Sequence, residues 1–459
     1  MTAMAATVVS HNPAHPDEIL TETPATGRTG VVAAVDRARS GARSWAEGGA
    51  GRRAAALHAA ADRVEAAGDE LASLVSREVG KPITEARGEV ARTVAILRYY
   101  AQQPYDPVGS VHEPAAGAGL LFTRRAPYGV AGLITPWNFP LAIPVWKAAP
   151  ALATGNCVVL KPAEPATACA LRLGELFDEV LPRHVLTVVP GGAEEGGALV
   201  DSADVVSFTG STAVGRAVVQ AATALGTPVQ AEMGGQNAAI VLPDADIGAT
   251  AAQLAAAIAG YAGQKCTATK RVIAVGDPGP LRDALVAALE ALAVGDPDLP
   301  TTACGPLISE QARDAVLAAA RSGGRVLTGG RALGGDPGWY ARPTLVDELP
   351  DRHLLATEEV FGPIAAFSSA PDLDAAVARA NAVAHGLAAS VHTADLDAAL
   401  RCADRLDTGL VKVNAPTTGV DFHLPFGGEK ASSHGPREQG KAALDFYTRT
   451  RTVTLLSPV

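Results

Sequence analysis

The segment "GYAGQKCTA" at residues 260–268 places a single cysteine, Cys266, in a polar stretch that follows two glycines. A lone cysteine in a protein is most often a small buried apolar side chain. A thiolate can also add to an aldehyde carbon and hold it as a thioester once that carbon has been oxidised. Ionisation of the thiol would be favoured by the neighbouring Lys265 or by a helix N-terminus. Cys266 is therefore a candidate nucleophile.

Two other segments contain groups that such a nucleophile needs. In "TPWNFP", Asn138 lies in a loop held between Pro136 and Pro140, which suits a fixed amide donor to an oxyanion. In "AEMGG", Glu232 precedes two glycines, so its carboxylate could move as a general base. Each segment taken alone fits a packed turn equally well.

Two further segments could bind a phosphate or a ribose. "FTGSTAVGRA" follows an apolar strand, and Gly210 permits a tight turn before Ser211 begins a helix. The free N–H groups of a helix start attract anions, although this segment is neither a Walker A loop nor a GxGxxG motif. In "VVLKPAEPAT", Lys161 and Glu164 follow a strand and could bind ribose hydroxyls. The structural alternatives are a capped helix and two solvated loop charges.

The elements that must position these groups alternate between strand and helix. Short apolar strands such as "NCVVL", "DVVSF" and "AAIVL" are separated by amphipathic helices between residues 156 and 242. This pattern predicts an α/β fold with a parallel sheet, helices on both faces and ligands at the carboxyl ends of the strands. Residues 31–110 are predicted to be helical, and a second α/β region starts near residue 245. The tail "TRTRTVTLL" predicts a final strand whose edge needs a partner.

Composition narrows the class of protein. A chain of 459 residues predicts two or more domains, and 48% hydrophobic with 19% charged residues is typical of a globular protein. The net charge of −10 argues against a nucleic-acid binder, which would need a basic surface. We expect no membrane span, no signal peptide and a cytoplasmic location. The five cysteines are scattered, so reduced thiols are expected, with no disulfide scaffold and no metal site.

Seven segments occur in one order, namely "TPWNFP", "KPAE", "FTGST", "EMGG", "GQKCTA", "EEVFGPI" and "PFGG". In these motifs, over residues 16–458, the chain resembles the aldehyde dehydrogenase superfamily. The resemblance implies that fold, with a Rossmann-like cofactor domain, an α/β catalytic domain and an oligomerisation hairpin that pairs with the C-terminal strand of a neighbouring subunit. A homodimer or homotetramer is expected. The implied division gives residues 1–109 and 129–234 to the NAD(P)-binding domain, 235–435 to the catalytic domain, and 110–128 and 436–459 to the oligomerisation segment.

The resemblance also implies a reaction, the NAD(P)-dependent oxidation of an aldehyde to a carboxylic acid through a thiohemiacetal and a thioester on Cys266. Asn138 and the Cys266 backbone N–H would hold the oxyanion, and Glu232 would activate the water that hydrolyses the thioester. Lys147 would line the same pocket. The presence of Glu232 argues against a CoA-acylating route. An inactive binding protein on the same fold would have lost the nucleophile or the base, and this chain keeps both.

The remaining contacts are assigned only through the resemblance. NAD is the expected cofactor because Glu164 would bind both ribose hydroxyls and repel a 2′-phosphate, and NADP stays open. The implied cofactor contacts are Ile134, Trp137, Lys161, Glu164, Gly210, Ser211, Glu359 and Phe361. The implied substrate contacts are Arg92, Phe139, Trp146, Lys265, Thr267 and Phe426.

Within the family the motifs are most similar to those of 2-oxoglutarate semialdehyde (2,5-dioxopentanoate) dehydrogenases, so an acidic semialdehyde is expected. The Arg92 guanidinium could clamp a carboxylate or a phosphonate. The alternative for Arg92 is a surface pair with Glu85 or Glu89 on the same helix. A neutral or aromatic aldehyde, or a phosphonate-bearing aldehyde of a biosynthetic pathway, is the alternative substrate. Lys270 occupies a position where serine is more common, and we expect it to be a surface change.

Overall fold

The first part of the chain is mainly helical. The structure, a computed structural model, describes residues 6–456. An antiparallel hairpin precedes four helices, and α3 ends where Gly80 adopts a left-handed φ of 68°, as a glycine just past a helix end commonly does. The elements are β1 Thr7–Asn12, β2 His15–Pro24, α1 Gly27–Glu47, α2 Gly49–Ala66, α3 Gly68–Val79, α4 Ile83–Gln102, β3 Val111–His112 and β4 Leu120–Pro127.

The next part alternates between strand and helix and forms a six-stranded sheet in the order β19-β9-β8-β5-β6-β7. Strands β5 to β9 run parallel, and every residue of β5, β6 and β8 is buried, which is typical of strands covered on both faces. The elements are β5 Val130–Ile134, α5 Ala142–Ala153, β6 Cys157–Lys161, α6 Thr167–Asp178, β7 Leu186–Val188, α7 Ala193–Ser202, β8 Val205–Thr209, α8 Thr212–Ala224 and β9 Val229–Glu232.

A seven-stranded sheet follows in the order β12-β13-β14-β11-β10-β16-β17, in which only the edge strand β12 is antiparallel. Apolar residues of α9 and α10 pack on one face and those of α13 and α14 on the other. The elements are β10 Ala238–Val241, α9 Ile247–Ala259, β11 Arg271–Val275, α10 Gly279–Glu290, α11 Glu310–Arg321, β12 Arg325–Thr328, β13 Thr344–Asp347, α12 Leu354–Thr357, β14 Ile364–Ala370, α13 Leu373–Asn381, β15 His385–Gly386, β16 Ala388–His392, α14 Leu396–Arg405 and β17 Leu410–Val413.

The two sheets confirm the predicted α/β class, with parallel strands and helices on both faces. The division into cofactor, catalytic and oligomerisation parts stays a prediction. No helix within residues 6–456 is long and apolar enough to cross a membrane.

The last strand of the described chain completes a separate sheet of three antiparallel strands in the order β20-β4-β3. Strand β20 pairs with β4 along its full length, from Thr448 opposite Pro127 to Leu455 opposite Leu120. The expectation that a neighbouring subunit supplies this strand is therefore wrong, since the chain pairs it internally. The final elements are β18 Glu429–Lys430, β19 Ser433–His434, α15 Ala442–Phe446 and β20 Thr448–Leu455.

A buried ion pair joins the helical part to the first sheet. The Lys81 ammonium donates to one carboxylate oxygen of Glu89, and both side chains are almost completely buried. The other Glu89 oxygen accepts the backbone N–H groups of Leu141 and Ala142, each at 3.0 Å, at the N-terminus of α5. A carboxylate there is favoured by unpaired N–H groups and the helix dipole. The pair therefore fixes where α5, and the loop before it, begin.

We predict that Glu89→Gln destabilises the protein by about 3–5 kcal/mol, because it leaves the buried Lys81 charge unpaired. Urea-induced unfolding followed by circular dichroism measures the change. Glu65→Gln is the control, since it breaks only an exposed ion pair with Arg98 and is expected to leave the unfolding free energy almost unchanged. Equal effects of the two variants would contradict the positioning role of Glu89.

Candidate active site

Cys266 follows a strained turn. Tyr261, Ala262 and Gly263 adopt φ values of 52°, 51° and 64°, and this left-handed conformation is costly for the two residues that carry a side chain. The surroundings hold the turn in place. The Tyr261 hydroxyl donates to the carbonyl oxygen of Val79 at 3.0 Å, and the Gln264 side chain bonds the backbone of residues 306 and 308. We refer to residues 260–268 as the cysteine turn.

Asn138 reaches the cysteine turn from the loop at residues 135–141. Its Nδ2 atom donates to the carbonyl oxygen of Gln264 at 2.9 Å, and the side chain is buried. An amide nitrogen carries two hydrogens, so one of them remains for another acceptor. The Cys266 backbone N–H donates to no backbone carbonyl within the described chain. The structure therefore brings together the two donors of the predicted oxyanion hole, whose catalytic role stays a prediction.

The surroundings of the Cys266 thiol disfavour its ionised form. Burial, together with the carboxylates of Glu359, Glu232 and Glu438, raises the pKa of this thiol to about 12. Lys265 does not offset these charges in the way that its position in the sequence suggested. Its ammonium is paired with Glu85 at 2.6 Å, because the side chain extends toward α4. The thiol is therefore protonated at neutral pH.

Glu232 ends strand β9 and is buried. It accepts a hydrogen bond from the Ser433 hydroxyl, and burial followed by the charge of Glu438 raises its pKa well above the usual range. The predicted pocket lysine, Lys147, is also buried. It forms an ion pair with Glu438 and donates to the Ser207 hydroxyl at 2.8 Å. Glu232 and Lys147 thus belong to one network of buried charges.

Glu438 is the residue of this network that sequence reasoning missed. It accepts the Trp146 indole N–H at 2.7 Å, pairs with Lys147, and exchanges two backbone hydrogen bonds of 2.7 Å with Phe426. No local pattern in "GPREQG" marks this glutamate, because Lys147 lies 291 residues earlier in the chain. Its importance is visible only from its contacts.

The predicted substrate residues fall into separate groups. Trp146 and Phe426 pack together with ring centroids 5.8 Å apart. The Phe139 ring faces the Lys81 ammonium, 3.8 Å from the ring centroid. Thr267 is buried in the cysteine turn, and Lys265 instead lines a cleft beside Glu85 that is also formed by residues of α9 and the loop at 416–418. Within the predicted set, the structure places Trp146 and Phe426 in direct contact.

Arg92 lies on α4 with part of its side chain buried, and burial lowers its pKa. Its Nε and Nη2 atoms are buried and have no hydrogen-bond partner in the described chain. The alternative of a surface pair with Glu85 or Glu89 is wrong, because Glu85 binds Lys265 and Glu89 binds Lys81. Arg92 therefore keeps two buried donors that the protein does not use.

The predicted cofactor residues share one edge of the first sheet. Ile134 ends β5 and lies opposite both Lys161 on β6 and Phe208 on β8, so the carboxyl ends of three parallel strands meet. The Lys161 ammonium donates to the carbonyl oxygens of residues 162 and 191, each at 2.7 Å, and burial lowers its pKa to about 8. Glu164, just beyond it, is exposed.

The next loop along this edge begins helix α8. Ser211 is the N-cap, and its hydroxyl accepts the Val214 N–H at 3.4 Å. Gly210 is required in the turn, since a Cβ atom there would lie 2.6 Å from the Phe208 ring. The start of α8 therefore offers backbone donors at the same edge where the strands end, a place that suits a diphosphate.

The loop at residues 358–363 carries the other two predicted cofactor residues. Phe361 packs edge-on against Trp137, with ring centroids 5.6 Å apart. Glu359 has one buried carboxylate oxygen, Oε1, without a hydrogen-bond partner, and burial raises its pKa to about 7. Gly234 makes room for this side chain, since a Cβ atom there would overlap its carboxylate. A buried oxygen without a donor fits a ribose hydroxyl.

Lys270 is not a surface residue, so that expectation is wrong. Its side chain is buried, and the ammonium donates to the carbonyl oxygens of Gly263 at 3.0 Å and Gly362 at 2.8 Å. It follows the cysteine turn immediately, where the chain enters β11 in the core. Among residues 6–456, no group of three or more histidine, cysteine, aspartate or glutamate side chains is placed to hold a metal ion.

Similarity to known proteins extends along nearly the whole chain. Residues 2–453 match the model of the aldehyde dehydrogenase family. The chain is 38% identical to the alpha-ketoglutaric semialdehyde dehydrogenase of Bacillus subtilis (strain 168), over 96% of this chain and 93% of that protein. It is 37% identical to the geranial dehydrogenase of Castellaniella defragrans, over 96% and 94%. The solved structure of PnpE in complex with nicotinamide adenine dinucleotide is 36% identical, with a TM-score of 0.94 over 99% of this chain and 96% of that one.

We predict that iodoacetamide alkylates Cys266 slowly at neutral pH when no cofactor is bound. Because the pKa of the thiol is raised to about 12, the rate should still climb with pH at pH 10, the upper end of the measurement. Peptide mass spectrometry after timed labelling measures the rate, with Cys266→Ser as the control for other sites. A plateau near pH 8.5, the usual thiol pKa, would contradict the prediction.

Proposed function

The chain belongs to the aldehyde dehydrogenase family and is an NAD(P)-dependent aldehyde dehydrogenase, and from that premise we propose that it oxidises a semialdehyde bearing an acidic group. The proposed product is the corresponding carboxylic acid, and the proposed cofactor is NAD. The observation that carries the proposal is Arg92, whose two buried donors have no partner in the described chain.

In the proposed reaction the residues of the cysteine turn and its neighbours have separate catalytic roles. Cys266 adds to the aldehyde carbon, and the free hydrogen of the Asn138 amide and the Cys266 N–H bind the resulting oxyanion. The carbon loses a hydride as the thioester forms, and oxidised nicotinamide, when bound, would supply the acceptor for it and a positive charge that favours the thiolate. Glu232 then takes a proton from the water that attacks the thioester on Cys266. The acid leaves and the thiol is restored.

The residues proposed to hold NAD fit that group. The start of α8 at Ser211 would bind the diphosphate, and Lys161 and Glu164 would bind the adenosine ribose. Glu359 would accept a hydrogen bond from a hydroxyl of the nicotinamide ribose, and this hydroxyl would be the donor that its Oε1 atom lacks. Phe361, with Trp137, would position the nicotinamide ring. The Glu164 carboxylate supports NAD over NADP, because it would repel a 2′-phosphate.

The positive charge of Arg92 supports an acidic group on the substrate. A guanidinium that is partly buried with unused donors is stabilised by a bound carboxylate, which accepts two hydrogen bonds in parallel. The charges of Glu89 and Asp421 both act on Arg92, but neither carboxylate accepts a hydrogen bond from its Nε or Nη2 atom in the described chain, and both oxygens of Glu89 are engaged elsewhere. Similarity to known proteins does not decide this point, since one relative is named for an acidic aldehyde and another for the neutral geranial.

A homodimer or homotetramer is also proposed. Three apolar side chains of the β20-β4-β3 sheet, Val111, Leu120 and Leu455, are 73%, 45% and 52% exposed. Exposed apolar groups clustered on one small sheet support its burial against another subunit.

We predict that Arg92→Met raises the KM for 2-oxoglutarate semialdehyde at least about tenfold, a loss of about 1.4 kcal/mol of binding. For a neutral aldehyde of the same length, the KM should change less than about twofold. Methionine keeps the length of the side chain and removes its charge. Initial rates of NADH formation measure both constants. Arg87→Met, an exposed arginine on the same helix, is the matched control.

Similar losses for acidic and neutral substrates in Arg92→Met would remove the clamp and favour a neutral substrate. A wild-type protein that reduces NAD equally well with both aldehydes would lead to the same conclusion.

We predict that Glu232→Gln forms the thioester but hydrolyses it slowly. Stopped-flow absorbance should then show a burst of NADH equal to about one per active site, followed by a slow steady rate. Cys266→Ala, which has no nucleophile, should give no burst while still binding NAD. A Glu232→Gln enzyme with the full steady rate would exclude Glu232 as the base, and a wild-type rate that depends on added CoA would favour the acylating route.

A further inference from the structure

Lys270 joins two segments that the proposed reaction uses. Its ammonium donates to the carbonyl oxygen of Gly263, three residues before Cys266, and to that of Gly362, directly after Phe361. One side chain thus bridges the cysteine turn and the 358–363 loop. Both bonds lie in the protein interior, where a polar contact is not weakened by competing water.

The backbones of the two segments touch at this bridge. A Cβ atom on Gly263 would lie 2.2 Å from the carbonyl oxygen of Gly362, so no larger residue fits at this position. Gly263 also completes the left-handed run that begins at Tyr261. Because the carbonyls of Gly263 and Gly362 face the same ammonium, a shift of one segment away from the other breaks a buried hydrogen bond.

The charge of Lys270 is not neutralised by an ion pair. Within residues 6–456 its ammonium bonds to the two carbonyl oxygens and to no carboxylate, and although burial disfavours the charge, the field of Glu359 favours it. Burying a cation in this way is costly, and an uncharged residue at this position would avoid the cost. The same positive charge favours the ionised form of Glu359. The ammonium therefore acts on both the position and the charge of the 358–363 loop.

We propose that Lys270 is a positioning residue that locks the 358–363 loop to the cysteine turn and thereby sets the affinity of the enzyme for its nicotinamide cofactor. The Phe361 ring lies 6.0 Å from the ammonium and packs against Trp137, so the bridge fixes the ring proposed to face the nicotinamide. Glu359 is oriented by the same loop. The inference rests on the proposed cofactor roles of Glu359 and Phe361.

The test compares KM values for the cofactor and the aldehyde. Lys270→Met keeps most of the side-chain volume but removes the charge and both hydrogen bonds. We expect its KM and Kd for NAD to rise at least about tenfold, while the aldehyde KM at saturating NAD changes less than about twofold. Lys270→Arg, which keeps a cationic donor, should recover part of the affinity. Initial rates give KM, and NAD titration followed by tryptophan fluorescence gives Kd.

Two controls separate a local effect from a general one. Lys430→Met removes another lysine that donates to backbone carbonyls, those of Asn381 and Val383, and should leave the KM for NAD unchanged. Phe361→Ala should raise it. Lys270→Ser, which places a small polar residue at this position, provides a second variant if Lys270→Met does not fold, and its KM for NAD should also rise.

The outcomes distinguish the inference from the proposed function. If Phe361→Ala raises the KM for NAD and folded Lys270→Met or Lys270→Ser does not, the positioning role of Lys270 is overturned while the proposed site stands. If Phe361→Ala also leaves it unchanged, the proposed cofactor site fails, and the positioning role fails with it. An equal rise in the KM values for NAD and aldehyde would show general disruption and would likewise overturn the inference.

Discussion

The left-handed turn before Cys266 is the constraint on which the arrangement of the site depends. Tyr261 and Ala262 occupy a backbone region that costs of order 1–3 kcal/mol for each residue that carries a side chain. The turn persists because α3, the backbone near Pro306 and the 358–363 loop all contact it. Strain held by several independent contacts gives the thiol one fixed position. Asn138 bonds this turn directly at the carbonyl oxygen of Gln264, two residues before Cys266.

Buried lysines link several of the segments around this turn, and their charges are compensated in two ways. Lys81 and Lys147 pair with Glu89 and Glu438, whereas Lys270 donates to two carbonyls without an ion pair. Burial disfavours every one of these charges, so each is retained only where hydrogen bonds replace the lost water. The result is a site whose parts come from distant segments of the chain but are held rigidly together.

Burial also determines the protonation of the Cys266 thiol. Glu232, Glu359 and Glu438 surround Cys266 and favour its protonated form, so the protein alone does not activate the nucleophile. A positive charge brought by the cofactor would favour the thiolate once the binding site is filled. Arg92 would extend the same logic to the proposed acidic substrate, since its unused buried donors would favour a ligand that carries a negative charge. In both cases the proposed ligand would supply the charge that the protein group favours.

The sequence by itself determined the features that depend on neighbouring residues. Alternating strands and helices gave the α/β class, and the ordered motifs around Cys266 and Asn138 gave the family and the likeness to semialdehyde dehydrogenases. Only the tertiary structure decided which charges meet. It paired Glu438 with Lys147 across 291 residues, buried Lys270, left Arg92 without Glu85 or Glu89, and paired β20 with β4 of the same chain. The spacing of hydrophobic residues and the turn residues determine local structure over a few positions of the chain. The partner of a buried charge or of an edge strand is determined by the topology, because it comes from a distant segment that no local pattern identifies.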